Sequence, residues 1–218
     1  MPARGIIGIA CALIAVLATL SVATRRFTAL TTDTARMLDV AQHPVPLTPL
    51  SLLDTRGHVH QLTDHQRSTI VDVIYTRCAT VCSELGGVFQ QLQSTIRKQG
   101  LSPRVRLLSI SFDPSWDTPE RLGRYAALLR VDGNIWTLTA PRDTASLTPF
   151  LHTLGIRVIP DGQNGYIHNA ALHVIDAAGR LVAILPADAG DEAIDVALRH
   201  APTQTTSLRA VRLTAVPR

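Results

Sequence analysis

The run Thr69–Tyr75, TIVDVIY, leads directly into Thr76-Arg77-Cys78-Ala79-Thr80-Val81-Cys82. Helical spacing of Leu85, Val88, Phe89, Leu92 and Ile96 then follows, with Gly100 as a stop signal. A β-branched apolar run of this kind reads as a buried strand, and apolar residues three and four apart read as an amphipathic helix. A buried strand that feeds straight into a helix restricts the chain to sheets with parallel strands and helices on their faces.

The alternation continues downstream. Val105–Phe112 predicts a second buried strand. Asp117 is expected to cap a helix running to Leu129, with Pro119 and Glu120 in its first turn. Asn134–Thr139 reads as a short strand and Thr144–Leu154 as a helix. Two hairpins bracket this core. Leu50–Asp54 and His58–Leu62 flank Thr55-Arg56-Gly57, and Ala171–Asp176 and Arg180–Leu185 flank Ala177-Ala178-Gly179. Asp191–His200 is the last helix, with Asp191 and Glu192 in its first turn and Arg199 and His200 in its last, as the macrodipole prefers. Hairpin, β-α-β-α-β-α, hairpin and helix is the order of an α/β, thioredoxin-like fold with an N-terminal β-hairpin. It is expected over residues 47–200. Residues 25–46, with Pro44 and Pro46 at their end, read as a linker, and 201–218 as a loose basic tail.

Composition removes several classes. With 46% hydrophobic and 17% charged residues, the chain is not a disordered one. Three cysteines in 218 residues do not make a disulfide scaffold. The net charge of +4 comes without a dense arginine cluster, so no nucleic-acid partner is expected.

Gly5–Ala23 is apolar and uncharged, with Arg4 before it and Arg25 and Arg26 after it. At about 1.5 Å per residue it spans roughly 28 Å, near the ~30 Å hydrocarbon core. Residues 1–24 therefore read as a single transmembrane or signal-anchor helix. Ser21-Val22-Ala23 offers the alternative of a cleaved signal. Cys11 falls inside the run and reads as a small apolar residue rather than a lipidation site. Either reading exports the domain to an oxidising compartment.

There, Cys78 and Cys82 are a structural disulfide, a redox pair or a soft-metal site. Four apart on a helix, they share one face. A helix N-terminus and the neighbouring Arg77 both favour thiolate over thiol. Eight histidines are available as further donors. His58, His60 and His65 near the first hairpin form at most a weak metal cluster. His168 falls in the loop before the last hairpin, which in a thioredoxin-like sheet approaches the first helix, whereas His173 falls within a strand. His168 is thus the better third ligand. Two thiolates and an imidazole suit Cu(I) and also accept Cu(II), and three ligands leave an open position for release.

Three stretches together resemble one family. Tyr75–Leu85 resembles the CxxxC segment of SCO/SenC proteins, the thioredoxin-like copper-assembly factors for the CuA site of cytochrome c oxidase. Leu108–Glu120, with Asp113-Pro114 and Asp117-Thr118-Pro119-Glu120, resembles their DPxxDTPE segment. His168–Gly179 resembles their histidine loop, strand and DxxG turn. The resemblance implies that Cys78, Cys82 and His168 are copper ligands and that Asp113 is the acidic residue near the cysteine loop. Asp113 also admits a plain turn role before Pro114. The resemblance further implies an apo cuproprotein client such as the CuA-bearing oxidase subunit. It implies a single-pass inner-membrane protein whose soluble domain faces the periplasm. Ala79 and Ser83 stand where the family has proline after each cysteine, and Ile167 where it has aspartate before the histidine.

The same cysteines suit a second function, a membrane-anchored thiol–disulfide oxidoreductase that reduces client cysteines through a mixed disulfide. His168 has no necessary part in that chemistry. Many thioredoxin-like reductants also carry a proline where Asn169-Ala170 stands. A peroxidase would need Thr or Ser three residues before its attacking cysteine, where Tyr75 and Ala79 occur.

Overall fold

The computed structural model describes residues 12–19, 21–22, 31–77 and 81–203, with the side chains of 81–84 outside that set. Residues 12–19 are helical. Among the described residues no helix is long and apolar enough to cross a membrane. Most of the expected anchor, and all of the tail beyond residue 203, lie outside the described residues.

The centre of the domain is β4 (Ser68–Ile74), whose residues are all buried. It pairs in parallel with β5 (Val105–Ser111), and β5 pairs in parallel with β6 (Trp136–Pro141). Antiparallel strands complete the sheet on both sides. β9 (Leu172–Ile175) and β10 (Arg180–Leu185) flank β4, and β2 (Ser51–Asp54) and β3 (Val59–Gln61) flank β6. With β1 (Val45–Pro46) at the far edge, the order is β1-β10-β9-β4-β5-β6-β2-β3. Gly179 makes the β9–β10 turn at φ 81°, a conformation that costs glycine little.

The helices cover both faces. Val71 and its register partner His173 point to one side, where the His173 Nε2–H donates to the Leu154 carbonyl of α4 (Leu147–Leu154). Asp72 and its partner Ser109 point to the other. There the Trp136 indole donates to Ser109 Oγ, and its ring lies 5.4 Å from Phe89 of α2 (Val81–Lys98). On that same side, α2 meets the end of α3 (Pro119–Leu128) through Gln93, which donates to the Arg130 carbonyl. Gly190 at the start of α5 (Gly190–His200) packs against Leu92 and Val88.

Three expectations are corrected. Residues 25–46, expected as a linker, hold a helix, α1 (Thr32–Gln42), over much of their length. Thr31 caps α1 by accepting from Thr34 N–H, and Asp33 stands in the first turn. The prolines that suggested extension come only after its end. Arg36 then donates to the Thr153 carbonyl, and Arg157 pairs with Asp33, so α1 is tied to the α4 region. Second, Thr118 and not Asp117 caps α3. Proline suits the first helical position, which places the cap at the residue before Pro119. Third, Val158–Pro160 (β7) and Tyr166–His168 (β8) form a separate antiparallel hairpin that periodicity did not suggest. His168 is the last residue of β8 rather than part of a loop.

Candidate functional site

β4 ends where the sequence turns toward the cysteines, and each residue of Tyr75-Thr76-Arg77 is held by a different partner. The Tyr75 phenol donates to the Tyr166 carbonyl at 3.0 Å and accepts from the Tyr166 N–H at 3.2 Å, which binds β8 to the end of β4. The Asp117 carboxylate accepts from the Thr76 N–H at 3.1 Å, and from Thr76 Oγ1 and Ser111 Oγ at 2.5 Å each. Freed from helix capping, this buried carboxylate fixes the backbone two residues before Cys78. Arg77 Nη2 donates to Asp113 Oδ2 at 2.6 Å. Asp113 is buried, and its other oxygen accepts from Ser115 Oγ at 2.9 Å. The pairing holds the Arg77 guanidinium firmly charged. Asp113 thus bonds within its own turn through Ser115 and to Arg77, the residue next to Cys78.

His168 comes in from the other side. Its ring packs edge-on against Phe112 at 5.1 Å and Tyr75 at 5.9 Å, and only 8% of the residue is exposed. Desolvation by these neighbours lowers its pKa and favours neutral imidazole. Nδ1 lies 3.1 Å from the Asn169 carbonyl, which only accepts, so Nδ1 carries the proton. Nε2 then presents a lone pair. It is buried and has no hydrogen-bond partner among the described residues. An unpaired buried acceptor is costly, and this tautomer is the one a metal takes.

Cys78, with Ala79 and Thr80, lies outside the described residues, and so does the Cys82 side chain, although Cys82 falls within α2. Tyr75 packs against His168, and Arg77, paired with Asp113, is the last described residue before Cys78. His173 is fully buried on the α4 face. His58 and His60 both face Asp54, at 3.5 and 2.9 Å from Oδ2, and Asp54 Oδ1 accepts the Arg56 and His58 N–H groups. These histidines brace a hairpin turn. Among the described residues no group of three or more His, Cys, Asp or Glu is arranged to hold a metal. Sequence reasoning missed Tyr166 and the true role of Asp117. For Asp117 the signal was present, since Pro119 already places the cap at Thr118.

A thioredoxin-like domain with its polar residues gathered at the C-terminal ends of β4 and β5, beside a CxxxC loop, is the class this arrangement defines. The chain belongs to the SCO1/SenC family, whose profile matches residues 41–201. It is similar to an SCO1 protein homologue of Bacillus subtilis (strain 168), at 23% identity over 115 residues. That match covers 52% of this chain and only 58% of the relative. Two solved structures share the fold. BsSco, a member of the Sco family of cytochrome c oxidase assembly proteins in which a disulfide switch was identified, is 19% identical at a TM-score of 0.61. That similarity covers 71% of this chain and 92% of BsSco. Bradyrhizobium japonicum ScoI, solved with copper bound, is 21% identical at 0.51, covering 72% and 99%.

Proposed function

We propose that the protein is a copper-carrying assembly factor. In this reading the thiolates of Cys78 and Cys82 and Nε2 of His168 hold one copper ion. The ion leaves by ligand exchange to an apo cuproprotein, the CuA-bearing subunit of cytochrome c oxidase. The observation that carries the reading is the buried, neutral His168 with Nδ1 engaged and Nε2 unpartnered among the described residues. Two soft thiolates with an imidazole suit Cu(I), and the imidazole admits Cu(II). Arg77, held by Asp113, favours thiolate in the adjacent Cys78. ScoI binds copper on the same fold, which supports the assignment. The apolar run Gly5–Ala23 supports a single-pass anchor in the inner membrane, with the domain in the periplasm.

A second reading, thiol–disulfide exchange through Cys78 and Cys82, is favoured by the disulfide switch of BsSco. Copper titration of the reduced full-length chain in detergent separates the two. About one copper per chain, lost or much weakened in Cys78→Ser, Cys82→Ser and His168→Ala alike, supports the carrier. Absence of competitive copper binding, with a Cys78–Cys82 disulfide that exchanges as readily in His168→Ala as in the parent, overturns it in favour of the oxidoreductase.

A further inference from the structure

A groove of ≈ 380 Å³ opens beside the cysteine loop, lined by Thr76, Arg77, Trp116, Arg121, Arg124, Tyr125 and Leu128. Three of these residues are arginines and none is acidic. The Arg77 and Arg121 guanidinium carbons lie 4.5 and 3.7 Å from the Trp116 ring centroid, and Trp116 is 38% exposed. Asp113 neutralises Arg77. The Arg121 guanidinium donates to the Trp116 carbonyl, and among the described residues neither Arg121 nor Arg124 forms an ion pair with a carboxylate. Glu120 lies outside the lining, although its carboxyl, bonded to Thr118, also feels both arginines. Leu128, 74% exposed, closes the far end.

We propose that this groove docks an acidic peptide segment of the client, so that the client's metal or thiol site meets the Cys78 loop. The proposal rests on the carrier reading for the identity of the client. Charge decides the occupant's sign, because two guanidinium groups face the groove and no carboxylate of the described residues lines it. The chain's own C-terminal tail is excluded by the same argument. It carries Arg209, Arg212 and Arg218 and no acidic residue. Arg121, Arg124, Tyr125 and Leu128 share one face of α3 and its end, and Arg121 to Leu128 spans roughly 10 Å of helix. That length matches about three residues of extended peptide. Carboxylates would meet the arginines, and an apolar side chain would meet Trp116 or Leu128. Arg77 of the lining is next to Cys78 in sequence, so an occupant that brings a client to the cysteines is favoured over lipid headgroups.

The test uses full-length protein in neutral detergent and a fluorescein-labelled hexapeptide of alternating leucine and aspartate, read by anisotropy. A peptide with lysine for aspartate is the control. Saturable binding of the acidic peptide alone, weakened by salt and about tenfold or more by Arg124→Glu, is expected. Arg124→Glu changes an exposed residue. Trp116→Ala is a second variant, expected to weaken binding without changing its salt dependence. Copper stoichiometry is measured on the same samples and stays at the parent value in Arg124→Glu, so the docking and carrier readings fail independently. Equal binding of both peptides, or unchanged binding in Arg124→Glu, overturns the proposal. So does binding only to phosphatidylglycerol vesicles, which would assign the arginines to a membrane.

Discussion

Arg77 and Asp113 meet at 2.6 Å across 36 residues of sequence and join the approach to the cysteine loop to the turn that follows β5. The carboxylate is 4% exposed and the guanidinium 29%, so water screens the pair only in part. Removing the cation leaves the buried carboxylate with the Ser115 hydroxyl as its donor among the described residues. Arg77→Ala is expected to cost about 2 kcal/mol in urea unfolding, at the low end for a buried pair because Arg77 is partly exposed. Arg77→Ala with Asp113→Asn together is expected to recover part of that loss. A double variant no more stable than Arg77→Ala alone would show that the pair is not the source.

Asp117→Ala removes the acceptor of the Thr76 N–H, Thr76 Oγ1 and Ser111 Oγ at once. A loss of roughly 2–4 kcal/mol is expected, since three donors around a charged acceptor go unpaired in a buried place. Thr118 still caps α3, so the helical circular dichroism of the folded variant stays near the parent value. Loss of helix in proportion to loss of stability would restore Asp117 to a capping role.

Asp72 is 1% exposed, has one oxygen without a hydrogen-bond partner among the described residues, and has its pKa raised to about 7 by burial. The unfolded chain releases this proton near pH 3.8 and the folded one near 7. Stability from this group is full below pH 3.8 and falls as pH rises to about 7. Asp72→Asn is therefore expected to stabilise the protein by a few kcal/mol at pH 8 and by little at pH 3.5. A pH-independent difference in urea midpoint would contradict the assignment.

His173 produces the opposite limb. Burial lowers its pKa from 6.5 to about 4, while its Nε2–H remains bonded to the Leu154 carbonyl. The unfolded chain takes up a proton below about pH 6.5 and the folded chain only near 4. Its contribution is full above pH 6.5 and lost as pH falls through about 4. His173→Gln, which keeps an N–H donor, is expected to flatten that part of the acid unfolding curve. An unchanged curve would assign the acid limb to other groups.

The elements that sequence displays well are those with a strong period and a fully buried face. β4, α2 and β5 carry unbroken apolar patterns, and their bounds fall within a residue or two of the expectation. α1 buries only Val40, so its pattern is faint, and the prolines after it draw the eye. β7 and β8 are three-residue strands whose central pair, Ile159 and Ile167, faces solvent, so neither alternation nor an apolar run marks them. At the site, His168 was singled out by its place and by motif spacing, and Asp113 by the family resemblance alone. The Arg77–Asp113 and Tyr75–Tyr166 contacts are long-range pairings that no local window contains.

The Tyr75 phenol grips both backbone groups of Tyr166 across 91 residues. His168 thus sits at the end of a small hairpin that this side chain and the rings of Phe112 and Tyr166 hold to the strand end leading into Cys78, while Asn169 next to it donates to the Gly155 carbonyl. Tyr75→Phe would take away both of these bonds at once, and so act together on two segments that lie far apart in sequence.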